Sequence, residues 1–143
     1  MRKSSISIAF MMVLISTVTV CAGTIDVKVT QIDVVKKGIV KIGLYDLLGF
    51  PVIGKDIEAV NLEVNGPSAT HVFRNIPAGT YAIAVIQDEN LDGKLTKNFL
   101  GIPKEPYGFS KNKYGMFGPP AFENVSFEVE NDSNISLTIN FEK

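Results

Sequence analysis

The chain has no tryptophan, one cysteine, one histidine and no excess of basic residues. Its cysteine, Cys21, lies in the N-terminal leader described below, so the rest of the chain has no disulfide, thiol nucleophile or cysteine metal site. A single histidine, His71, cannot supply the paired histidines of a zinc site, and we interpret it as structural or surface-exposed. At a net charge of −1, the chain lacks the basic surface typical of nucleic-acid binding. We therefore expect a protein that is not an enzyme and does not bind nucleic acid.

The one long apolar run lies at the N-terminus. Two basic residues open the chain, an apolar stretch follows from residue 6 to 20, and small residues end it at Ala22. This is the pattern of a secretory signal peptide, so we predict cleavage after Ala22 and export to the periplasm or beyond the cell. The alternatives are an uncleaved anchor, or lipid attachment at Cys21, whose preceding residues match a lipobox only loosely.

Residues 23–143 are predicted to form a single domain with no transmembrane segment. Removal of residues 1–22 takes away two of the 14 basic residues and none of the 15 acidic ones, which leaves a net charge of −3. A chain of this length can bury a substantial core without disulfides.

Alternation of apolar and polar residues dominates the predicted domain. The pattern predicts an all-β, antiparallel sandwich of about seven strands, with no convincing amphipathic helix. Residues 70–75 form a shorter strand candidate, and residues 81–86, apolar on both faces, indicate a central, doubly buried strand. A phase change after Val29 predicts a bulge or kink near residues 30 and 31. The alternating positions are Ile25, Val27, Val29, Ile32 and Val34; Val40, Ile42 and Leu44; Val60, Leu62 and Val64; Val125, Phe127 and Val129; and Ile135, Leu137, Ile139 and Phe141.

A long segment without periodicity, residues 90–120, interrupts the strand pattern. Its tyrosines and phenylalanines favour an ordered loop packed on one end of the sandwich over a disordered one. Upstream, residues 76–80 predict a turn that leads into Tyr81. The hydroxyl of Tyr81 is expected either to bond to backbone at this corner or to be simply buried.

Oxygen-bearing side chains alternate where the central strand ends. Asp88, Asn90 and Asp92 precede Gly93, a pattern typical of loops that hold Ca²⁺. In this interpretation Lys94 contributes its backbone carbonyl, and Glu89 or Glu105 completes the shell. An EF-hand is excluded because its twelfth position, a glutamate, is Phe99 here. The alternative is a plain turn in which the Asp and Asn side chains bond to their own backbone.

A second candidate site follows between residues 101 and 110. Prolines and glycines shape this segment, and Lys104 and Glu105 could bind the polar groups of a ligand. Tyr107 and Phe109 would supply a stacking surface for a carbohydrate or a peptide. The alternative is a lid that buries both aromatic side chains over the open end of the sandwich.

Three segments carry a resemblance to a known family. They are Asn75-Ile76-Pro77-Ala78-Gly79-Thr80-Tyr81-Ala82-Ile83-Ala84-Val85, Asp88-Glu89-Asn90-Leu91-Asp92-Gly93-Lys94-Leu95 and Gly101-Ile102-Pro103-Lys104-Glu105-Pro106-Tyr107-Gly108-Phe109-Ser110. Over roughly residues 25 to 142 the chain resembles the bacterial domain-of-unknown-function family 2141. The resemblance implies an exported bacterial protein with a transthyretin-like or immunoglobulin-like sandwich, and it implies no particular activity. The family often has an aspartate where this chain has Thr96, which removes one candidate carboxylate.

The sequence thus favours an exported, non-enzymatic binding or accessory module for a protein or carbohydrate, stabilised by Ca²⁺ at residues 88–96 if that loop is a metal site. The alternative is a structural protein of the cell envelope that acts through protein contacts and has no small ligand.

Overall fold

A computed structural model describes residues 22–142. The predicted signal peptide, apart from Ala22, lies outside the described residues, as does the lipid-anchor alternative at Cys21. The described chain holds eight strands, one short helix (α1) and one 3₁₀ turn at Ser110–Asn112. In chain order these are β1 Gly23–Thr30, β2 Ile39–Tyr45, β3 Glu58–Glu63, β4 Ser68–Ile76, β5 Gly79–Asp88, β6 Tyr107–Phe109, α1 Phe122–Val125, β7 Phe127–Val129 and β8 Asn134–Asn140.

Two sheets pack face to face, which confirms the predicted sandwich. The smaller sheet has the order β4-β1-β8, and the larger has the order β3-β2-β5-β6, with β7 also paired to β5. The pairing is antiparallel except between β1 and β8, which run parallel. Parallel neighbours need a long connection between them, and here nearly the whole domain supplies it.

The core lies between the two sheets and follows the period-two pattern. Because successive side chains of a strand point to opposite faces, every second residue of β1 and β2 is buried. Ile25, Val27 and Val29 come from the smaller sheet, and Val40 and Ile42 from the larger one. Other large side chains that complete this core are Leu44, Phe73, Ile83, Val85, Ile139 and Phe141.

Strand β5 is central and buried on both faces, as its sequence predicted. Tyr81 opens its buried stretch, and the hydroxyl of Tyr81 donates a hydrogen bond to the carbonyl oxygen of Pro77 at 2.9 Å. The predicted bond from this tyrosine to the backbone at the corner is therefore confirmed.

Two local expectations differ from the structure, and a third, the bulge or kink near residue 30, is met by one of its alternatives. The 90–120 segment is not wholly irregular, because residues 107–109 add strand β6 to the edge of β5. Val125 ends helix α1 instead of starting a strand, since Phe122 and Val125 pack together in a second cluster. Near residue 30 the structure has the kink and not the bulge, because β1 ends at Thr30 and Gln31 has a φ of 63°; the register of β1 shifts between Gly23 and Ile25.

Candidate functional site

The outer face of the larger sheet is only partly covered. Residues 110–125 return over one end of this face and bury a second apolar cluster against it. The buried members are Ala82, Phe109, Phe122 and Val125, and the partly buried members are Phe50, Ala84, Tyr107 and Tyr114. Beside this cluster the face stays open, because the chain between β5 and β6 arches over the sheet without filling the space beneath.

The open space is a cleft of about 700 Å³, which we call the outer cleft. Pockets for small ligands are typically roughly 300–1,000 Å³ and mostly apolar. The sheet contributes the floor, the turn between β2 and β3 contributes one wall, and residues 95–103 and 115–119 contribute the rim. Its lining residues are Lys41, Gly43, Tyr45, Pro51, Ile53, Ala84, Val85, Ile86, Leu95, Lys97, Leu100, Gly101, Ile102, Pro103, Tyr107, Phe109, Gly115, Met116, Phe117, Gly118 and Pro119.

Two small residues lie side by side in the floor of the cleft. Gly43 of β2 pairs with Ala84 of β5 in the ladder. A Cβ atom at Gly43 would lie 2.7 Å from Cε2 of Tyr45, so the ring of Tyr45 occupies the space above the glycine. Larger residues at positions 43 and 84 would therefore fill the cleft or displace this ring.

Aromatic rings form the wall beside the second cluster. The ring of Tyr107 lies edge-to-face with Phe109 and Tyr114, with ring centres 5.9 Å apart in both pairs. The Tyr107 hydroxyl donates to Oε2 of Glu142 at 3.0 Å. Burial, followed by this bond and the charge of Glu142, raises the pKa of Tyr107 to about 12. Burial, followed by the charge of Asp56, raises the pKa of Tyr45 to about 12. Both phenols are therefore neutral at physiological pH.

The 88–96 loop is closed by its own side chains. The two carboxylate oxygens of Asp88 accept hydrogen bonds from the backbone N–H groups of Asp92, at 3.2 Å, and Gly93, at 2.8 Å. Oδ1 of Asp92 accepts the Lys94 N–H at 2.8 Å, and Oδ1 of Asn90 accepts the Asp92 N–H at 3.1 Å. These are the contacts that the plain-turn alternative predicts.

The same oxygens are also candidate ligands for Ca²⁺. Each carbonyl or carboxylate oxygen has a second lone pair, so the hydrogen bonds alone do not prevent coordination. The donor set is small, however, because Ca²⁺ takes six to eight oxygens. Across residues 22–142, no three side chains of His, Cys, Asp or Glu converge as metal ligands. Calcium binding by Asp88, Asn90, Asp92 and Lys94 stays a prediction, and the residues present fit it only with additional oxygens from solvent.

Glu105 joins this loop to the cleft. Its side chain is buried, with Oε1 accepting the Glu89 N–H at 2.9 Å and Oε2 accepting the Thr96 N–H at 2.7 Å. The carboxylate thus holds both ends of the 88–96 loop through charge-assisted bonds. The hydroxyl of Thr96 accepts a 3.2 Å hydrogen bond from the side-chain amide of Asn90.

The predicted ligand residues of the 101–110 segment separate into two groups. Tyr107 and Phe109 line the outer cleft, with Phe109 buried and Tyr107 half-buried. Glu105 faces the 88–96 loop instead, and Lys104 is exposed outside the lining. The sequence pattern was not interpreted as predicting the floor of the cleft. The feature that could have indicated it is a pair of small residues at alternate positions on the outer face of β5, Ala82 and Ala84, in a strand whose other side chains are mostly large.

His71 lies away from the cleft. It is on β4 of the smaller sheet, with its ring edge-to-face to Phe73 at 4.7 Å between ring centres. This contact agrees with the interpretation of a structural side chain. Among the described residues, no helix has the length and hydropathy needed to span a bilayer.

Comparison with known proteins gives a family and a distant structural likeness. No curated protein matches the chain. Among solved structures, a pilus-presented adhesin (Cpa) aligns with 85% of this chain at 15% sequence identity and a TM-score of 0.31. The alignment spans only 27% of the adhesin chain, and a likeness at this level carries no argument about function. The family described as "Uncharacterized protein conserved in bacteria (DUF2141)" matches residues 27–136, most of the chain, and this protein therefore belongs to it.

Proposed function

We propose that this protein is an exported, non-enzymatic binding module whose ligand occupies the outer cleft. The observation that carries the proposal is the open, mostly apolar cleft on the outer face of the larger sheet, with Ala84 on its floor and Gly43 beneath the ring of Tyr45. The cleft is open to solvent, and an apolar ligand bound there would remove apolar lining surface from water.

The lining indicates the chemistry of the ligand. Most of its side chains are apolar or aromatic, so the body of the ligand is apolar. A carbohydrate would need many more hydrogen-bond partners than this lining offers. Lys41 and Lys97 are the charged residues of the lining, and within residues 22–142 no acidic side chain lines it. Nζ of Lys41 lies 4.0 Å from Oδ1 of Asp56, so the positive charge of Lys41 is partly compensated. The charge of Lys97 is the less compensated of the two. A fatty acid or a similar apolar molecule with an acidic group fits these features.

A pair of alanines provides the test. Gly43 pairs with Ala84 of β5 on one side and with Ala59 of β3 on the other. Ala59 is exposed and does not line the cleft. Binding of the fluorescent fatty acid parinaric acid would be titrated with the unmodified chain and with Ala84→Leu and Ala59→Leu. We expect Ala84→Leu to weaken binding by about tenfold or more, which corresponds to about 1.4 kcal/mol. Ala59→Leu should leave the affinity unchanged.

The result that contradicts the proposal is equal affinity in the two variants, or no saturable binding by the unmodified chain. Both leucine variants should first show cooperative unfolding at a similar midpoint, so that a loss of affinity reports the cleft and not the fold. Cell fractionation with the native leader tests export separately, since recovery in the cytoplasm would contradict it.

A further inference from the structure

Two loops on the rim of the outer cleft carry large apolar side chains that are mostly exposed to solvent. We call residues 97–103 and 115–119 the tip loops. Phe99 is 94% exposed and Leu100 68% exposed in the first loop, and Met116 is 89% exposed and Phe117 98% exposed in the second. Leu100, Met116 and Phe117 all line the outer cleft, and Phe99 directly precedes Leu100 in the first loop. Isolated exposed apolar residues are ordinary, but four on adjoining loops indicate an interaction surface.

The segment that contains the tip loops is also basic. Residues 94–117 carry five lysines and one acidic residue, Glu105, whose carboxylate is buried on backbone N–H groups. The rest of residues 23–143 carries seven basic and fourteen acidic residues, so the positive charge is concentrated beside the tips. Acidic residues also border the segment, among them Asp92, whose carboxylate accepts the Lys94 N–H, and Glu142, whose carboxylate accepts the Tyr107 hydroxyl. The five lysines are Lys94, Lys97, Lys104, Lys111 and Lys113.

We propose that the tip loops insert into the headgroup region of an anionic lipid bilayer. Apolar tips flanked by lysines combine the two attractions that hold proteins on such surfaces, burial of apolar side chains and attraction to acidic headgroups. The lysines beside the tips are complementary in charge to acidic headgroups, and a fluid bilayer can accommodate the exposed side chains of Phe99 and Phe117 individually.

This inference is independent of the ligand in the outer cleft, although it would place the mouth of the cleft against the membrane. A fatty acid or lipid could then pass between bilayer and cleft without crossing water. The tip loops would therefore serve as the membrane contact whether or not the cleft binds such a molecule.

Vesicle flotation tests the proposal with residues 23–143, which contain all eight strands and both apolar clusters and exclude the apolar leader. The vesicles are phosphatidylcholine alone, or phosphatidylcholine with phosphatidylglycerol. We expect binding to the anionic vesicles that weakens as salt is raised, because the attraction between exposed charges is screened. Phe99→Ser combined with Phe117→Ser should lower the partition coefficient by about tenfold or more, from the lost side-chain transfer.

Matched controls come from other exposed sites. Val35→Ser changes an apolar side chain that is 85% exposed and lies outside the cleft lining, and it should not alter binding. Lys97→Gln with Lys113→Gln should weaken binding to anionic vesicles, whereas Lys28→Gln, on the smaller sheet, should not.

Two results overturn the proposal. If the unmodified domain fails to float with anionic vesicles even at low salt, the tips do not contact membranes, and a protein partner becomes their explanation. If the double phenylalanine variant floats as well as the unmodified domain, the tips are not the contact. Unfolding midpoints confirm that the variants are folded, and these should be unchanged because the substituted side chains are exposed.

Discussion

Glu105 offers the sharpest test of how the structure is held together around the cleft. Its buried carboxylate accepts the backbone N–H groups of Glu89 and Thr96, at 2.9 and 2.7 Å. Substitution by alanine removes both acceptors and leaves two N–H groups facing a small void. We therefore expect Glu105→Ala to destabilise the domain and to loosen the 88–96 loop at both ends.

The magnitude follows from the two bonds. Hydrogen bonds to charged groups contribute about 1.5–3 kcal/mol each, so a complete loss of both would cost about 3–6 kcal/mol. The loop borders solvent, and water can replace part of what is lost. We expect a decrease in the free energy of unfolding of about 3 kcal/mol, toward the lower limit. Glu105→Gln keeps one acceptor but turns an amide N–H₂ toward a donor, and should cost about half as much.

Urea denaturation measures this free energy, and amide hydrogen exchange locates its origin. The amides of Glu89 and Thr96 should lose protection in Glu105→Ala, while amides in the β1–β8 ladder change only with global stability. The control is Glu128→Ala, on the exposed face of β7, which should stay within about 0.5 kcal/mol of the unmodified chain. If Glu105→Ala were as mild as this control, the carboxylate would not hold the loop and the reasoning would be refuted.

Two further predictions concern the ionisation of tyrosines in the cleft and calcium binding at the 88–96 loop. Tyr45 and Tyr107 have pKa values raised to about 12 by burial, assisted by Asp56 and Glu142 respectively. A raised pKa in the folded state means that the neutral phenol is favoured by folding, so this stabilisation is present below pH 10 and is lost between about pH 10 and pH 12. Absorbance titration of tyrosinate should show a late-ionising class that shrinks in Tyr107→Phe; ionisation of all tyrosines near pH 10 would contradict this. For the 88–96 loop, we expect millimolar Ca²⁺ added after EDTA to leave the thermal midpoint unchanged, because the loop offers fewer oxygens than the six to eight that Ca²⁺ takes. A rise in midpoint that is lost in Asp92→Ala would instead establish a calcium site.

The strands and the core could be predicted because they depend on local alternation. The alternation of Ile25, Val27 and Val29 with polar residues identifies the face of β1 that points to the core, whichever strand β1 pairs with. Repetition of this pattern in the other strands predicts the sandwich. Strand β6 could not be predicted in this way. It has only three residues, one of them Gly108, and its pairing is supplied by the edge of β5. Gly108 is needed there because a Cβ atom would lie 2.8 Å from Cγ2 of Ile139, across the core.

The candidate site was only partly predictable for a related reason. The sequence identified Tyr107 and Phe109 by residue type, and it identified the loop after β5 by its alternating oxygens. It could not identify the outer cleft, because Gly43 and Ala84 are far apart in the chain and become neighbours only when β2 pairs with β5. Nor could the sequence predict that Glu105 holds the 88–96 loop, because the partners of this side chain are backbone N–H groups, which residue type does not reveal.

Strand β5 connects the core, the outer cleft and the 88–96 loop. Its inner face belongs to the core, its outer face supplies Ala84 to the floor of the cleft, and its last residue, Asp88, closes the loop. Just before β6, the Pro106 carbonyl accepts the Gln87 N–H at 2.9 Å, next to Glu105. The carboxylate that holds the 88–96 loop therefore also fixes where β6 begins, and with it the position of Tyr107 in the aromatic wall. If the cleft binds a ligand, loosening Glu105 should weaken that binding without any change in the lining, because the wall is positioned by the same contacts that close the loop.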